Sequence, residues 1–127
     1  MAVPKFRVWH KPMQRMGEVL AISFERQKVK IRHLRGTTHM TVPFDDVELM
    51  QSTWQFDNST PKKEIFEGDV VDVFDSRYTV FYDSKNASFR LNPRDKRWNT
   101  DYMSNYAHEA SFEIIGSIYE NPELVEV

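Results

Sequence analysis

Apolar and polar residues alternate with a period of two in several short runs of the chain, and turn-forming residues separate these runs. Such alternation is typical of strands that bury one face, because successive side chains of a strand point to opposite sides of the sheet. The clearest run places Val29 and Ile31 between Lys28, Lys30 and Arg32. We therefore predict a half-buried strand here, with three cations on its exposed face.

Further runs of the same kind predict a mainly β protein with one short helix. The other predicted strands are Lys5–Trp9, Val19–Phe24, Met40–Val42, Val70–Phe74, Tyr78–Tyr82, Ala87–Leu91 and Phe112–Tyr119. The segment Phe44–Met50 fits either one helical turn capped by Asp45 or a strand, and the pattern does not decide between them. The helix is predicted over Thr100–Ala110, with Thr100 as its N-cap.

Turn formers are densest over Asp57–Pro61, so we place the main boundary there and predict a β-rich N-terminal portion, residues 1–58, and a second portion, residues 59–127. The short strands and tight turns favour a small barrel, since closure removes exposed sheet edges. Gly116 interrupts the last strand and predicts a bulge. Gly68 predicts a turn with positive φ, next to which Asp69 accepts hydrogen bonds from backbone amides.

Length and composition fit one ordinary domain, or one domain with a small appended lobe, since the chain has 127 residues of which 40% are apolar. The absence of cysteine excludes disulfides, thiolate zinc sites and cysteine nucleophiles. No run of about 18 apolar residues is present, and the first residues alternate too quickly with charge to form a signal peptide. We expect a soluble, cytoplasmic protein with no membrane partner.

The net charge of −2 conceals an uneven distribution. Met1–Phe44 carries nine Lys and Arg against two Glu, a net charge of about +7. Asp45–Val127 carries eight Lys and Arg against seventeen Asp and Glu, a net charge of about −9. The chain is basic in its first part and acidic in the rest.

Motifs that carry chemistry are missing from the sequence. The four histidines are far apart and have no metal-ligand spacing, and no Gly-x-Ser-x-Gly elbow or glycine-rich phosphate loop is present. Carboxylates are plentiful in the acidic part, but nothing singles out a catalytic pair. We therefore expect no enzyme activity, no cofactor, no metal and no small-molecule substrate.

The basic first part supplies the candidate contact residues, which lie on two predicted strand faces. They are Lys5, Arg7, Trp9, Lys28, Lys30 and Arg32. Cations about 6.8 Å apart along a strand suit the phosphates of a nucleic acid, and an aromatic side chain suits base stacking. Two other interpretations stay open: the face pairs with the acidic part, within the chain or between subunits, or it is merely solvated.

The remaining aromatic side chains fit packing better than stacking. We expect them to fill the core or the region between the two portions; they are Trp54, Phe56, Trp98, Tyr102 and Tyr106.

Four segments carry a family resemblance. Lys5–Trp9, Met50–Thr53, Lys62–Val71 and Phe112–Leu124, in this order, resemble the YopX family of small proteins encoded by phages and prophages of mainly Gram-positive bacteria. The resemblance covers nearly the whole chain. It implies an SH3-like barrel in the C-terminal half after a smaller β-rich portion, and it supplies no catalytic or ligand-binding residues.

Together these observations predict a non-enzymatic phage or prophage accessory protein that acts in the bacterial host as a binding or assembly module. A protein partner or self-association is the first expectation, and nucleic acid is the alternative.

Overall fold

The computed structural model describes residues 5–106, 108–109 and 111–126. Strands make up 53% of the structure, and the described residues contain no α-helix, which confirms the mainly β prediction. The strands are β1 Phe6–His10, β2 Arg15–Ser23, β3 Lys28–His33, β4 His39–Pro43, β5 Val47–Phe56, β6 Glu64–Phe66, β7 Asp69–Val73, β8 Ser76–Asp83, β9 Ser88–Pro93, β10 Asp101–Tyr102 and β11 Glu113–Ser117.

The chain forms two compact units, Met1–Gln51 and Ser52–Val127, called here the N-terminal and C-terminal units. The division falls inside β5, whose first half pairs with β1 and whose second half pairs with β6. It comes earlier along the chain than the boundary we predicted after residue 58. The N-terminal unit also extends beyond Phe44, where the charge count of the sequence was divided, and so includes Asp45, Asp46 and Glu48. Nine Lys and Arg against five Asp and Glu leave that unit a net charge of about +4, and eight against fourteen leave the C-terminal unit about −6.

The N-terminal unit is an antiparallel sheet with the order β4-β3-β2-β1-β5. The 3₁₀ turn Phe44–Asp46 alone connects β4 to β5, although these strands lie at opposite ends of that order. A 3₁₀ turn of this length spans only about 6 Å, so the sheet curls until its edges approach at this end. The segment Phe44–Met50 therefore forms a 3₁₀ turn followed by a strand, but the N-cap of the turn is Pro43, and Asp45, which lies inside the turn, does not cap it.

Alternation along the strands builds the core of this unit. The buried apolar side chains are Val8, Val29, Ile31, Val42 and Val47. Val29 and Ile31 are fully buried while Lys28 and Lys30, which alternate with them, are exposed, and this confirms the half-buried strand.

The C-terminal unit contains an antiparallel sheet with the order β10-β9-β8-β7-β11. The strands predicted at Val70–Phe74, Tyr78–Tyr82 and Ala87–Leu91 are confirmed as β7, β8 and β9, with ends shifted by one or two residues. The edge strands β10 and β11 do not pair with each other, so the sheet is open and the SH3-like barrel is not confirmed. Its core is Ile65, Val71, Val73, Val80, Leu91, Met103 and Phe112.

The helix predicted over Thr100–Ala110 is not supported. The chain forms β10 and then the 3₁₀ turn Met103–Asn105, while Ala107 and Ala110 lie outside the described residues. The Asp101 carboxylate accepts hydrogen bonds from the Tyr102 amide at 2.7 Å, the Asn105 side chain at 2.8 Å and the Tyr106 hydroxyl at 2.8 Å. A short acidic side chain that binds its own neighbours in this way competes with the helical hydrogen bonds.

Two glycine predictions are confirmed. Gly68 has a φ of 84°, and Asp69 Oδ2 accepts a hydrogen bond from the Phe66 amide at 2.8 Å. At Gly116 the pairing of β11 with β7 shifts register, as a bulge requires. A Cβ atom there would lie 2.5 Å from Oδ1 of Asn121, so any other residue would require the side chains of Asn121 and Leu124 in the turn after β11 to move.

A buried carboxylate fixes the turn-rich segment after β5. Asp57 is fully buried and accepts hydrogen bonds from the amides of Lys63 at 2.7 Å, Ile114 at 3.0 Å and Ser59 at 3.3 Å, and from the Ser59 hydroxyl at 2.7 Å. Burial by itself raises the pKa of this carboxyl, but the accepted hydrogen bonds outweigh burial and hold the pKa below its usual value. The segment that sequence analysis treated as a boundary is thus tied into the C-terminal unit.

Candidate functional site

The predicted contact residues lie mainly on one face of the N-terminal sheet, but their strands are not adjacent. β2 pairs with both β1 and β3 and so lies between them. Glu18 of β2 stands opposite Arg7 on one side and opposite Arg32 on the other. Two strand spacings separate the backbones of Arg7 and Arg32 by about 10 Å. The basic face, defined as the outer surface of β1–β3 with Arg7, Trp9, Lys28, Lys30 and Arg32, therefore has an acidic residue at its centre.

Two of the predicted cations are fully available on this face. Lys28 and Lys30 are exposed and have no hydrogen-bond or ion-pair partner within the described residues. They are two residues apart on a strand, so their side chains emerge on the same side at a spacing of about 6.8 Å.

The other predicted residues are more engaged. Arg32 forms an ion pair with Glu18, and Arg7, which is half-buried, donates a hydrogen bond from Nε to Sδ of Met50 at 3.4 Å. Trp9 is half-buried in β1, and Lys5 is exposed immediately before that strand. Positive charge is therefore partly neutralised in the middle of the face and concentrates towards Lys28 and Lys30.

An apolar row, made of Trp9, Met16 and Leu34, lies next to Arg7 and Arg32, at the end of the face away from Lys28 and Lys30. Trp9 pairs with Met16, and the Met16 carbonyl accepts a hydrogen bond from the Leu34 amide at 3.1 Å. Leu34 directly follows β3 and is 60% exposed. Sequence analysis missed Met16 and Leu34 because only the register of β2 against its neighbours places them beside Trp9.

On the inner side of the same sheet, β1 and β3 bring two histidines together. Nδ1 of His10 lies 3.1 Å from Nε2 of His33, and both side chains are buried. One ring donates and the other accepts this hydrogen bond, so at least one ring is neutral. Burial, followed by the charges of His10 and Arg15, lowers the pKa of His33. Sequence analysis was wrong to treat these histidines as far apart, because strand pairing joins residues that are distant in sequence.

Among the residues that the structure describes, the histidine pair has no third metal ligand beside it. Throughout the described residues, no group of three or more His, Cys, Asp or Glu side chains could hold a metal ion. The described residues also contain no helix with the length and hydrophobicity that a membrane span requires.

The aromatic side chains differ from our expectation. Trp54, Phe56, Trp98 and Tyr102 are exposed, and Trp98 has the largest exposed fraction of the four, 66%. Tyr106 alone of the five packs against the core of the C-terminal unit. The interpretation of these residues as packing is therefore wrong for all four exposed side chains. Trp98 and Tyr102 lie in a polar segment, which lacks the apolar neighbours that a core position requires.

Comparisons with known proteins agree with this architecture. The structure is similar to the crystal structure of protein EF1440 from Enterococcus faecalis, with a TM-score of 0.63 and 24% sequence identity over 99% of this chain and 100% of that one. At that identity the likeness shows a shared fold. No match was found among curated proteins. The sequence profile of the YopX protein family matches residues 5–126, and the chain therefore belongs to the YopX family.

Proposed function

We propose that this protein is a non-enzymatic binding or assembly module that uses the basic face and its apolar row to contact an acidic protein surface. The observation that carries the proposal is the combination of the exposed Leu34 and the half-buried Trp9, which flank the buried Met16, with Lys28 and Lys30 on one sheet surface. The side chains of both lysines are exposed and have no partner among the described residues. The proposal requires no cofactor, metal or small-molecule substrate.

The composition of this surface supports a protein partner. Interface cores are enriched in aromatic residues, methionine and arginine, and the apolar row with Arg7 and Arg32 has this composition. Lysine is depleted in interface cores and stays at their rims, where charge accelerates and orients association. Lys28 and Lys30 lie towards one end of the surface and so occupy such a rim.

Charge makes a second copy of the chain the first partner to test. The C-terminal unit carries a net charge of about −6 and the N-terminal unit about +4, so a basic face and an acidic unit from different copies attract each other. Contact between two different surfaces is heterologous, and it builds rings or open chains rather than a two-fold dimer.

The strand arrangement of the N-terminal unit supports an SH3-like architecture there rather than in the C-terminal half. β5 returns beside β1, and a short 3₁₀ turn joins β4 to β5. This is the strand order of SH3-like barrels, many of which are binding modules. Within the proposal, the protein is a phage or prophage accessory protein that acts in the cytoplasm of a bacterial host, as expected from the family.

The test is light scattering during size-exclusion chromatography at two ionic strengths. At about 50 mM salt we expect masses above that of a monomer which rise with protein concentration, and at about 500 mM salt we expect monomers, because screening shortens the reach of exposed charges. The variant Lys28→Glu/Lys30→Glu is expected to stay monomeric at both salt concentrations.

The matched control is Lys62→Glu/Lys85→Glu, which changes the same charge at two exposed lysines of the C-terminal unit. This variant is expected to associate at least as well as the parent chain. A parent chain that stays monomeric at low salt and high concentration would exclude self-association, and equal association of both double variants would exclude the basic face.

A nucleic acid is the second candidate, and the spacing of Lys28 and Lys30 with Trp9 on the same face favours it. Fluorescence anisotropy with labelled single- and double-stranded oligonucleotides tests it. Binding is expected to weaken steeply with salt, and the slope of log affinity against log salt is expected to fall by about one for each lysine removed. No change in anisotropy at low salt would reject this candidate.

A further inference from the structure

The C-terminal unit contains a cleft that sequence analysis did not anticipate. It has a volume of about 910 Å³ and is lined by the β7–β8 hairpin, the segment that follows β9, and Ser111. Pockets for small molecules and cofactors usually have volumes of about 300–1,000 Å³. The cleft is therefore large enough for a ligand of nucleotide size.

Two aromatic side chains line this cleft and are unusually exposed. Phe74 is 59% and Trp98 is 66% exposed, the two highest values among the large apolar side chains described in this unit. Phe74 and Asp75 form the two-residue turn of the hairpin with φ of 51° and 61°, a conformation that favours Asn-Gly. Local turn preference therefore does not account for a phenylalanine at this position.

Positive charge is concentrated in the same cleft although the unit as a whole is acidic. Four of the eight Lys and Arg residues of Ser52–Val127 line it, against three of the fourteen Asp and Glu residues. Arg77 pairs with Asp72 and Arg97 pairs with Asp95.

The remaining two cations have no carboxylate partner within the described residues. Nε of Arg94 donates to the carbonyl oxygen of Glu126 at 2.8 Å, and Lys96 is exposed without a polar partner. Together with the unpaired carboxylate of Asp75, these two cations leave the cleft a net charge of +1 beside two exposed aromatic side chains, of which Phe74 also makes an edge contact with Tyr106.

We propose that this cleft binds a nucleotide, with the base against Phe74 or Trp98 and the phosphate at Arg94 and Lys96. Bases stack on aromatic side chains, and phosphates form charge-assisted hydrogen bonds with arginine and lysine. The exposed carboxylate of Asp75, which has no partner among the described residues, is suited to accept a hydrogen bond from a sugar hydroxyl. The site is separate from the basic face and does not depend on the function proposed above.

The same chemistry is presented by a free nucleotide and by one unit of a single strand, so the experiment has two arms. The full chain is titrated calorimetrically with ATP and, separately, with a five-nucleotide oligothymidylate. Saturable binding of ATP identifies a free nucleotide as the ligand, and binding of the oligonucleotide alone identifies a single strand.

The variants are Trp98→Ala and Lys96→Ala, both at exposed positions, so that folding is preserved. Because removal of one stacking side chain weakens binding roughly 5- to 150-fold, Trp98→Ala is expected to lower the affinity at least about fivefold. Lys96→Ala removes a charge-assisted hydrogen bond to the phosphate and is expected to lower the affinity by about tenfold. Matched controls are Trp54→Ala and Lys85→Ala, which remove an exposed tryptophan and an exposed lysine of the same unit outside the cleft, and they are expected to leave the affinity unchanged.

Three results would overturn the proposal. One is the absence of binding for both ATP and the oligonucleotide at millimolar concentration. Another is that the cleft variants and their controls bind ATP or the oligonucleotide with equal affinity. The third is loss of oligonucleotide binding in Lys28→Glu/Lys30→Glu but not in Trp98→Ala, which would assign the binding to the basic face instead.

Discussion

Replacement of Asp57 by alanine is expected to be among the most destabilising single changes in the C-terminal unit. The carboxylate is fully buried and accepts hydrogen bonds from the amides of Ser59, Lys63 and Ile114. Alanine leaves these three donors without their partner in a site that is only partly open to water. An unsatisfied buried donor costs about 1–3 kcal/mol, and partial entry of water limits the sum, so we expect a loss of about 3–5 kcal/mol.

Asparagine at position 57 keeps the shape of the side chain but presents an NH₂ group where one carboxylate oxygen accepts hydrogen bonds. We expect an intermediate loss of about 2–3 kcal/mol, because one oxygen still accepts. Urea unfolding at pH 7, followed by circular dichroism, gives both values. Asp83→Ala is the matched control: its carboxylate accepts hydrogen bonds from Lys85 and Asn86 in an exposed turn, where water replaces it readily, so the loss is expected to be much smaller.

Acid provides a second measurement on the same carboxylate. The pKa of Asp57 is lower in the folded chain than in the unfolded chain. The contribution of this carboxylate to stability is therefore fully present above the unfolded pKa of 3.8 and is lost as the pH falls through the folded pKa. The stability difference between parent chain and Asp57→Ala is therefore expected to narrow below about pH 4. A difference below about 1 kcal/mol at pH 7, or one that is the same at pH 7 and pH 3, would refute this account of Asp57.

Three further predictions concern other sites. His33 is neutral and buried with a lowered pKa, so thermal melts should show the N-terminal unit losing stability as the pH falls below about 6.5. The variant His10→Gln/His33→Gln should flatten this dependence, and an unchanged slope of stability against pH would contradict the prediction. Gly116→Ala is expected to lower the free energy of unfolding in urea by about 1–3 kcal/mol, because its Cβ meets the side chains of Asn121 and Leu124 in the next turn. A neutral result would mean that this turn moves freely. Glu18→Gln removes the partner of Arg32 at the surface. The stability of the variant should stay within about 1 kcal/mol of the parent chain, while its association at low salt increases. Weaker association would argue against an acidic partner.

The sequence predicted local structure well wherever one face of a strand is buried. Val29 and Ile31 are fully buried and Lys28 and Lys30 exposed, as the period of two requires, and β7 to β9 lie close to their predicted positions. The helix prediction failed because helical spacing over a short polar segment is weak support, and the side chain of Asp101 satisfies local donors in another way.

The candidate site was predicted residue by residue but not as a surface. Strand alternation placed Lys28, Lys30 and Arg32 on one face, yet β2 had to be positioned before Glu18 could be recognised as the partner of Arg32. The apolar row could not be predicted either, because its members come from consecutive strands whose register depends on pairing.

The sequence by itself determined the strand-forming pattern, the glycine positions at Gly68 and Gly116, the uneven charge and the YopX family, since each depends on local residue order or on residue identity. Tertiary structure alone decided which side chains meet. It buried Asp57 against the amides of nearby Lys63 and distant Ile114, joined His10 to His33, and exposed Trp98 beside cations of a cleft. Hydrogen bonding between strands brings residues together regardless of their separation in the chain, and a local pattern carries no information about that pairing.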